Sequence, residues 1–223
     1  MARMTADDFV TLARSALGGE TTEALSDAHL LRFVNQAYFE ICSRYPFPEL
    51  STSTTVTTTS GTATYETTAT DIMQVTEVID STNYTTLYPI SEGKYHEYTQ
   101  GDTSSTGTPV WWFIDGVGSN SRKNFTLLPT PDGTYTITIS YDKMPSELVL
   151  SPTATSPIIP EVWDDSILAR TLYRGWRHLG DMEKAMVQLQ LAKDNDSANV
   201  KRSIYSSYEP WDSYSPLGRA LRG

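Results

Sequence analysis

The chain has 223 residues, of which 39% are hydrophobic and 20% are charged. This composition is typical of a folded, water-soluble protein and excludes a disordered tail or a fibre. A single cysteine, Cys42, excludes an internal disulfide framework and a thiolate zinc cluster. Asp7 and Asp8 stand where an export signal needs an apolar run, and nowhere do 18 apolar residues follow one another. We therefore expect a soluble, unexported protein that does not enter a membrane.

The charge is unevenly distributed along the chain. The net charge of −10 divides into −2 for residues 1–48, −8 for 49–150, −2 for 151–200 and +2 for 201–223. Tight binding to nucleic acid depends on Lys and Arg side chains that neutralise phosphates, so the acidic balance argues against it. A surface that DNA slides past without binding is still compatible with this charge.

The first 48 residues predict two amphipathic helices. Thr5 can cap the first helix, Asp7 and Asp8 face the positive end of its dipole, and a glycine pair at 18–19 ends it. Ser26 or Asp27 can cap a second helix of about five turns, which ends at the prolines of residues 45–48. The apolar faces are Phe9, Leu12, Ala13 and Ala16, then Leu30, Phe33, Val34, Ala37, Tyr38, Ile41 and Cys42.

The composition changes abruptly at Ser51. From there to Ser60 every residue except Val56 is Ser or Thr, which suits an exposed strand because threonine fits a pleated surface. A low-complexity linker is the alternative, but further strand-like segments and one short helix at 91–98 follow. The further strands are predicted at 62–67, 72–80, 84–90, 109–114, 124–128 and 134–141. The middle of the chain is thus predicted to be an antiparallel β domain.

After a proline-rich connector at 151–160, the pattern becomes helical again. Two helices are predicted here. The apolar positions of the first are Trp163, Ile167, Leu168, Leu172, Trp176 and Leu179. The second is capped by Asp181, and its apolar positions are Met182, Ala185, Met186, Leu189 and Ala192. No terminal helix could bury its apolar face alone. The chain is therefore predicted to be an α+β protein in which residues 1–48 and 151–206 form one helical bundle. Residues 49–150 form the inserted β domain, and residues 207–223 form an extended C-terminal arm.

No constellation of residues predicts catalysis. The three histidines, His29, His96 and His178, are far apart in the sequence. Asp164 and Asp165 lie nearly four helical turns from His178, outside hydrogen-bond reach. The chain has no pair of histidines four residues apart and no cysteine cluster. We therefore expect no enzyme activity, no metal site and no cofactor, and we interpret His178 as a helix-end histidine.

Two local features of the β region have structural explanations. The glycine-containing run at 116–123 resembles a phosphate loop but joins two predicted strands, so a hairpin connection is the better interpretation. Adjacent residues of a strand point to opposite faces, so one of Trp111 and Trp112 enters the core and the other faces outward. The outward one either contacts a sugar or a partner, or covers the sheet against the helix at 92–98.

The chain as a whole resembles the head-to-tail adaptor (connector) proteins of tailed bacteriophages. The resembling stretches are FVNQAYFEICSRYPFP at 33–48, GTPVWW at 107–112, FTLLPTPDG at 125–133 with the strand ending at Tyr141, and IIP at 158–160. Their order and spacing extend over roughly residues 25 to 195. None of them is a catalytic signature.

The resemblance implies a structural protein of the virion, made in the host bacterial cytoplasm. It implies a ring, commonly of twelve copies, that docks under the portal protein at the portal vertex and contacts downstream tail or nozzle proteins. Double-stranded DNA would pass through the ring without specific binding. The arm would contact the portal or a neighbouring copy through Tyr208, Trp211, Tyr214, Leu217, Arg219 and Arg222.

A different class of function also fits part of the chain. A carbohydrate- or cell-surface-binding module of a virion or tail fibre would explain the Thr-rich β region and the tryptophan pair, but not the four terminal helices. We carry this second hypothesis forward, with Trp111 and Trp112 as its candidate interface residues.

Overall fold

The computed structural model describes residues 3–18, 25–99, 105–118 and 122–207, with the side chains of 202–207 excepted. Its contacts divide the chain into two compact units. The helical unit comprises the described residues up to Ile41 and those from Ser146 onward, and the β unit comprises Cys42–Pro145. The expected fold class is confirmed, because a β unit is inserted between N-terminal and C-terminal helices.

The described residues form five helices and ten strands. The helices are α1 (Ala6–Ala16), α2 (Asp27–Arg44), α3 (Glu92–Thr99), α4 (Asp164–His178) and α5 (Met182–Ser207). The strands are β1 (Ser51–Thr57), β2 (Thr64–Glu66), β3 (Ile72–Asp80), β4 (Thr85–Thr86), β5 (Tyr88–Pro89), β6 (Thr106–Gly107), β7 (Trp111–Val117), β8 (Lys123–Leu128), β9 (Thr130–Pro131) and β10 (Thr136–Lys143). Two short 3-10 turns precede β1 and α4.

Local capping sets the start of the N-terminal helices as the sequence predicts. Thr5 and Asp8 form a capping box: Thr5 Oγ1 accepts from the Asp8 N–H at 3.3 Å, and Asp8 Oδ2 accepts from the Thr5 N–H at 2.8 Å. The hydrogen bond from the Thr5 backbone lowers the pKa of Asp8. At α2, Ser26 Oγ accepts from the His29 N–H at 3.3 Å.

The C-terminal helices differ from the sequence prediction at α5. Its predicted apolar face included Met182 and Met186, but these are 52% and 55% exposed. Ala185 and Ala192 of the same predicted face are buried, and Asp196 and Asn199 further along α5 are buried with them. The helix also continues to Ser207, well beyond the apolar positions that predicted it. The hydrophobic pattern was misleading because α5 packs through small and polar residues.

The β unit contains two four-stranded sheets in the orders β1-β10-β3-β4 and β2-β8-β7-β5. Their shared core consists of Val78, Leu87, Trp112, Phe125, Leu127, Ile137 and Ile139. Residues 51–60, the Ser/Thr-rich segment, form a strand and not a linker, since β1 pairs with β10 along its whole length. Pairing is antiparallel in both sheets except between β5 and β7, and β6 and β9 form a second two-residue parallel pair.

The strand predicted at 84–90 is split between the two sheets. β4 pairs with β3 in one sheet, and β5 pairs with β7 in the other. Leu87 lies between them, is buried in the shared core, and donates its N–H to Val78 O at 2.9 Å. This segment therefore passes from one sheet to the other, which the sequence prediction of a single strand did not indicate.

Candidate partner-binding surfaces

A buried ion-pair network attaches α5 to α4 within the helical unit. Arg170 of α4 is 2% exposed, and its guanidinium makes two hydrogen bonds to the carboxylate of Asp196, one of them at 2.9 Å from Nη1 to Oδ1. Its Nε lies 3.5 Å from Oε1 of Glu40 in α2. Arg174, one turn further along α4, donates to Oε2 of the same glutamate at 2.6 Å. Two cations and two carboxylates therefore connect three helices.

The charges of this network keep Arg170 in its cationic form. Burial by itself would lower the pKa of the guanidinium, but the carboxylates of Asp196 and Glu40 outweigh burial, so the pKa lies above its ordinary value. Two parallel hydrogen bonds from a guanidinium to a carboxylate fix the relative orientation of the two side chains and also strengthen their interaction. The network thus specifies how α5 lies on α4.

A second polar contact lies one turn beyond Asp196. Asn199 is 4% exposed, and its side-chain amide donates to Val162 O at 2.8 Å. The same nitrogen lies 3.4 Å from Ser166 Oγ. Together with the buried Ala185 and Ala192, these contacts hold α5 by small and polar side chains.

The surface of α5 consequently exposes apolar side chains along its first three turns. They are Met182, Met186, Val187 and Leu191, which are 52%, 55%, 62% and 47% exposed. A groove of about 400 Å³ lies beside them and is lined in part by Ala16, Trp176, Lys184 and Val187. Nζ of Lys184 lies 4.3 Å from the centre of the Trp176 ring and 2.9 Å from Asp181 Oδ2. An exposed apolar patch of this kind is typical of a protein-binding surface.

The carboxylate of Asp164, the first residue of α4, is buried. It is 6% exposed, and its Oδ1 has no hydrogen-bond partner among the described residues. Burial raises its pKa to about 6, although the Met4 backbone N–H and the positive charge of Arg3 act in the opposite direction. Protonation of Asp164 therefore makes the stability of the helical unit depend on pH.

The tryptophan pair lies in the β unit as the alternation of a strand predicts. Trp112 is in the core, and its Nε1 donates to Leu87 O at 3.2 Å. Trp111 points to the opposite face and stacks on Tyr98 of α3, with ring centres 5.4 Å apart and planes 11° apart. Of the two interpretations of the outward tryptophan, packing against the short helix is the one the structure shows. An interface role for either indole stays a prediction.

The structure brings two of the three histidines together, although the sequence places them in different regions. His178, the last residue of α4, packs against His29 and Phe33 of α2, each with ring centres 6.0 Å apart. His96 lies 3.7 Å from Glu92 on the exposed face of α3. Within the described ranges, no three His, Cys, Asp or Glu side chains come together as a metal site. Cys42 is buried, and burial raises the pKa of its thiol to about 12.

Two further sequence predictions concern connections. The run at 116–123 joins β7 to β8, which pair antiparallel, so its strand-to-strand context is confirmed. Residues 119–121 of that run lie outside the described residues.

The predicted arm residues also lie outside the described residues: Tyr208, Trp211, Tyr214, Leu217, Arg219 and Arg222. Across the described part of the chain, no helix combines the length and the hydropathy of a membrane span.

Comparison with known proteins adds one finding to this geometry. The family model described as SU10 adaptor protein matches residues 4–211, which include all five helices and the whole β unit. A search of curated proteins finds no match to the chain.

Proposed function

The chain belongs to the SU10 adaptor protein family, a family of phage head-to-tail adaptors, and we propose that it forms a ring under the portal protein. In this proposal the ring has twelve copies, links the capsid vertex to the tail, and lets double-stranded DNA pass through its lumen. The observation that carries the proposal is the family match over nearly the whole chain. The family implies a structural role in the virion and not an enzymatic one.

The exposed apolar residues of α5 support a multi-subunit assembly. A monomer gains nothing from exposing Met182, Met186, Val187 and Leu191 on neighbouring turns, whereas an adaptor must bury surface against its partners. We propose that this patch is covered by a neighbouring copy or by the portal protein when the ring assembles.

The C-terminal segment supplies a second proposed contact. Residues 208–223 contain three aromatic anchor residues, Tyr208, Trp211 and Tyr214, followed by Arg219 and Arg222. Large aromatic side chains and arginine are the types that dominate binding energy at protein interfaces. We propose that this arm docks on the portal or an adjacent subunit, with the two arginines facing acidic surface.

The negative charge of the β unit fits a channel whose wall does not bind the DNA that passes through it. Residues 49–150 carry a net charge of −8, and negative walls repel phosphate by the same electrostatics that make basic walls bind it. We propose that part of this charge faces the DNA. The alternative of a carbohydrate-binding module has less support, because Trp112 is a core residue and one face of Trp111 is covered by Tyr98.

The proposal is tested by mixing the purified chain with the purified portal protein of the same phage and measuring the mass of the complex. We expect a stable assembly with many copies of the chain per portal. A folded chain and an intact portal that form no complex would refute the proposal. A chain truncated after Ser206 should remain folded and lose docking. A full-length variant with alanine at 208, 211 and 214 distinguishes the aromatic contacts from the length of the arm.

A further inference from the structure

The two sheets of the β unit end in four edge strands, and three of these are protected. β2 has three residues and carries Glu66, β4 has two residues, and β5 has two residues and contains Pro89. Short length, charge and proline are the usual means by which proteins prevent an edge from pairing with another chain. β1 has none of them: its seven residues pair with β10 without a bulge, and residues 51–65 contain no charge and no proline.

The register shows which backbone groups of β1 point outward. Thr57 pairs with Thr136, so the next pair is Thr58 and Tyr135, and here the Thr58 N–H donates to Tyr135 O at 2.9 Å. Hydrogen-bonded and non-bonded pairs alternate along an antiparallel ladder. Thr52, Thr54 and Val56 therefore bond to β10, while the N–H and C=O groups of the residues between them point away from it.

The outward groups are available for pairing. The N–H groups of Ser53, Thr55 and Thr57 have no backbone acceptor among the described residues, whereas that of Ser51 donates to Pro48 O. The side chains of the same alternate residues are exposed. A continuous, bulge-free and uncharged edge is therefore presented to solvent along the length of the strand.

We propose that this edge is the docking site for β1 of a second copy of the chain. Two copies arranged antiparallel about Thr54 place Ser53 opposite Thr55 of the second copy, and Ser51 opposite Thr57. The two Ser53–Thr55 pairs form four backbone hydrogen bonds, and the two Thr57 N–H groups form two more with Ser51 carbonyls. The side chains of the four outward residues, Ser51, Ser53, Thr55 and Thr57, all carry hydroxyls, which suit cross-strand pairs.

The register of β1 and its lack of charge fit a second copy of the same strand as the occupant. Residues 49–150 carry −8, so most contacts between two β units bring like charges together. The segment at 51–65 lies in the longest uncharged stretch of residues 49–150, so two copies can meet there with less of that repulsion. Pairing joins the two sheets into one of eight strands in the order β4-β3-β10-β1-β1-β10-β3-β4, related by a two-fold axis. This dimer concerns the free chain and needs neither portal nor tail protein.

The test is the mass of the free chain as a function of concentration, by sedimentation velocity. We expect a shift from the 24.8 kDa monomer towards twice that mass as concentration rises. Thr55→Pro removes an outward N–H without touching the β10 ladder, and Thr55→Lys adds a charge to the edge. Both should weaken association at least tenfold. Thr76→Lys makes the same charge change at an exposed position of β3, on the other side of β10 from β1, and should leave association unchanged.

Amide hydrogen exchange identifies the strand that pairs. Where nine-tenths of the chains are dimeric, exchange at Ser53, Thr55 and Thr57 should slow about tenfold relative to dilute protein. Exchange at Thr52, Thr54 and Val56 should be slow at both concentrations. These inner amides also report whether the Thr55 variants keep the β10 ladder.

Three outcomes would overturn the proposal. The first is a wild-type chain that stays monomeric at every concentration. The second is a dimer in which the outward amides exchange as fast as in the monomer. The third is a monomeric chain whose Thr55→Lys variant fails to join the portal assembly, which would assign the edge to a strand of another protein. The first two outcomes do not depend on whether the ring docks under the portal, and the third applies where the wild-type chain does join the portal assembly.

Discussion

Replacing Arg170 by methionine tests whether the buried network determines the docking of α5. The substitution keeps much of the side-chain volume and removes the guanidinium that makes two hydrogen bonds to Asp196. Asp196 is 3% exposed, so the substitution removes the guanidinium that faces a buried carboxylate. Removing one partner of a buried ion pair destabilises a protein by about 3 to 5 kcal/mol. Because domains are stable by about 5 to 15 kcal/mol, this loss is a large fraction of the total.

Arg174→Met is the matched control, since it makes the same change one turn away on α4. The Arg174 side chain is 20% exposed and pairs with Glu40, which also lies near Arg170. We expect a loss of about 1 kcal/mol or less from this partly exposed pair. Urea unfolding at neutral pH, followed by circular dichroism, measures both variants under identical conditions.

A double variant separates the lost ion pair from general damage to the core. Arg170→Met combined with Asp196→Leu removes both charges and should recover most of the lost stability, because replacing a buried ion pair with apolar side chains is often neutral. The reasoning fails if Arg170→Met costs no more than Arg174→Met, or if the double variant is less stable than Arg170→Met alone.

Two further predictions concern residues of α4. The raised pKa of Asp164 means that the folded protein binds a proton more tightly than the unfolded chain, so stability rises as pH falls through 6. Urea unfolding should show a gain of about 1 kcal/mol from this group between pH 7 and pH 5; an Asp164→Asn variant with the same pH profile as wild type would contradict this. A Cβ at Gly175 would lie 2.7 Å from Leu17 Cδ1, and Leu17 is 2% exposed. Gly175→Ala should therefore lose about 1 kcal/mol net, because overpacking exceeds the gain in helix propensity. Adding Leu17→Ala to that variant should relieve the clash, and a Gly175→Ala protein more stable than wild type would refute the close packing.

The candidate surfaces could be predicted from the sequence only in part. The aromatic arm predicted at 207–223 stands out by residue type alone, because anchor residues are rare in so short a polar segment. The exposed patch on α5 could not be found, since Met182 and Met186 lie at the spacing of a core-facing helix. The Arg170–Asp196 pair was also missed, because 26 residues separate its members and nothing local connects them.

Local interactions explain which elements were predictable. The capping box of Thr5 and Asp8 forms within four consecutive residues, and the alternation of Ile137, Ile139 and Tyr141 is a property of one strand. The abrupt change at Ser51 likewise marks the start of β1 by composition alone. In each case the physical cause acts between residues that are close in sequence.

The sequence by itself therefore determined the order of the elements, their approximate limits and the insertion of the β unit between helices. Only the tertiary structure decided that the segment at 84–90 divides between two sheets, that α5 packs through alanines and polar side chains, and that β1 lies at an edge. Strand order and helix docking depend on pairings between residues far apart in the chain, such as Ser51 with Asp142. Such pairings are chosen by the packing of the whole unit, and no local pattern encodes them.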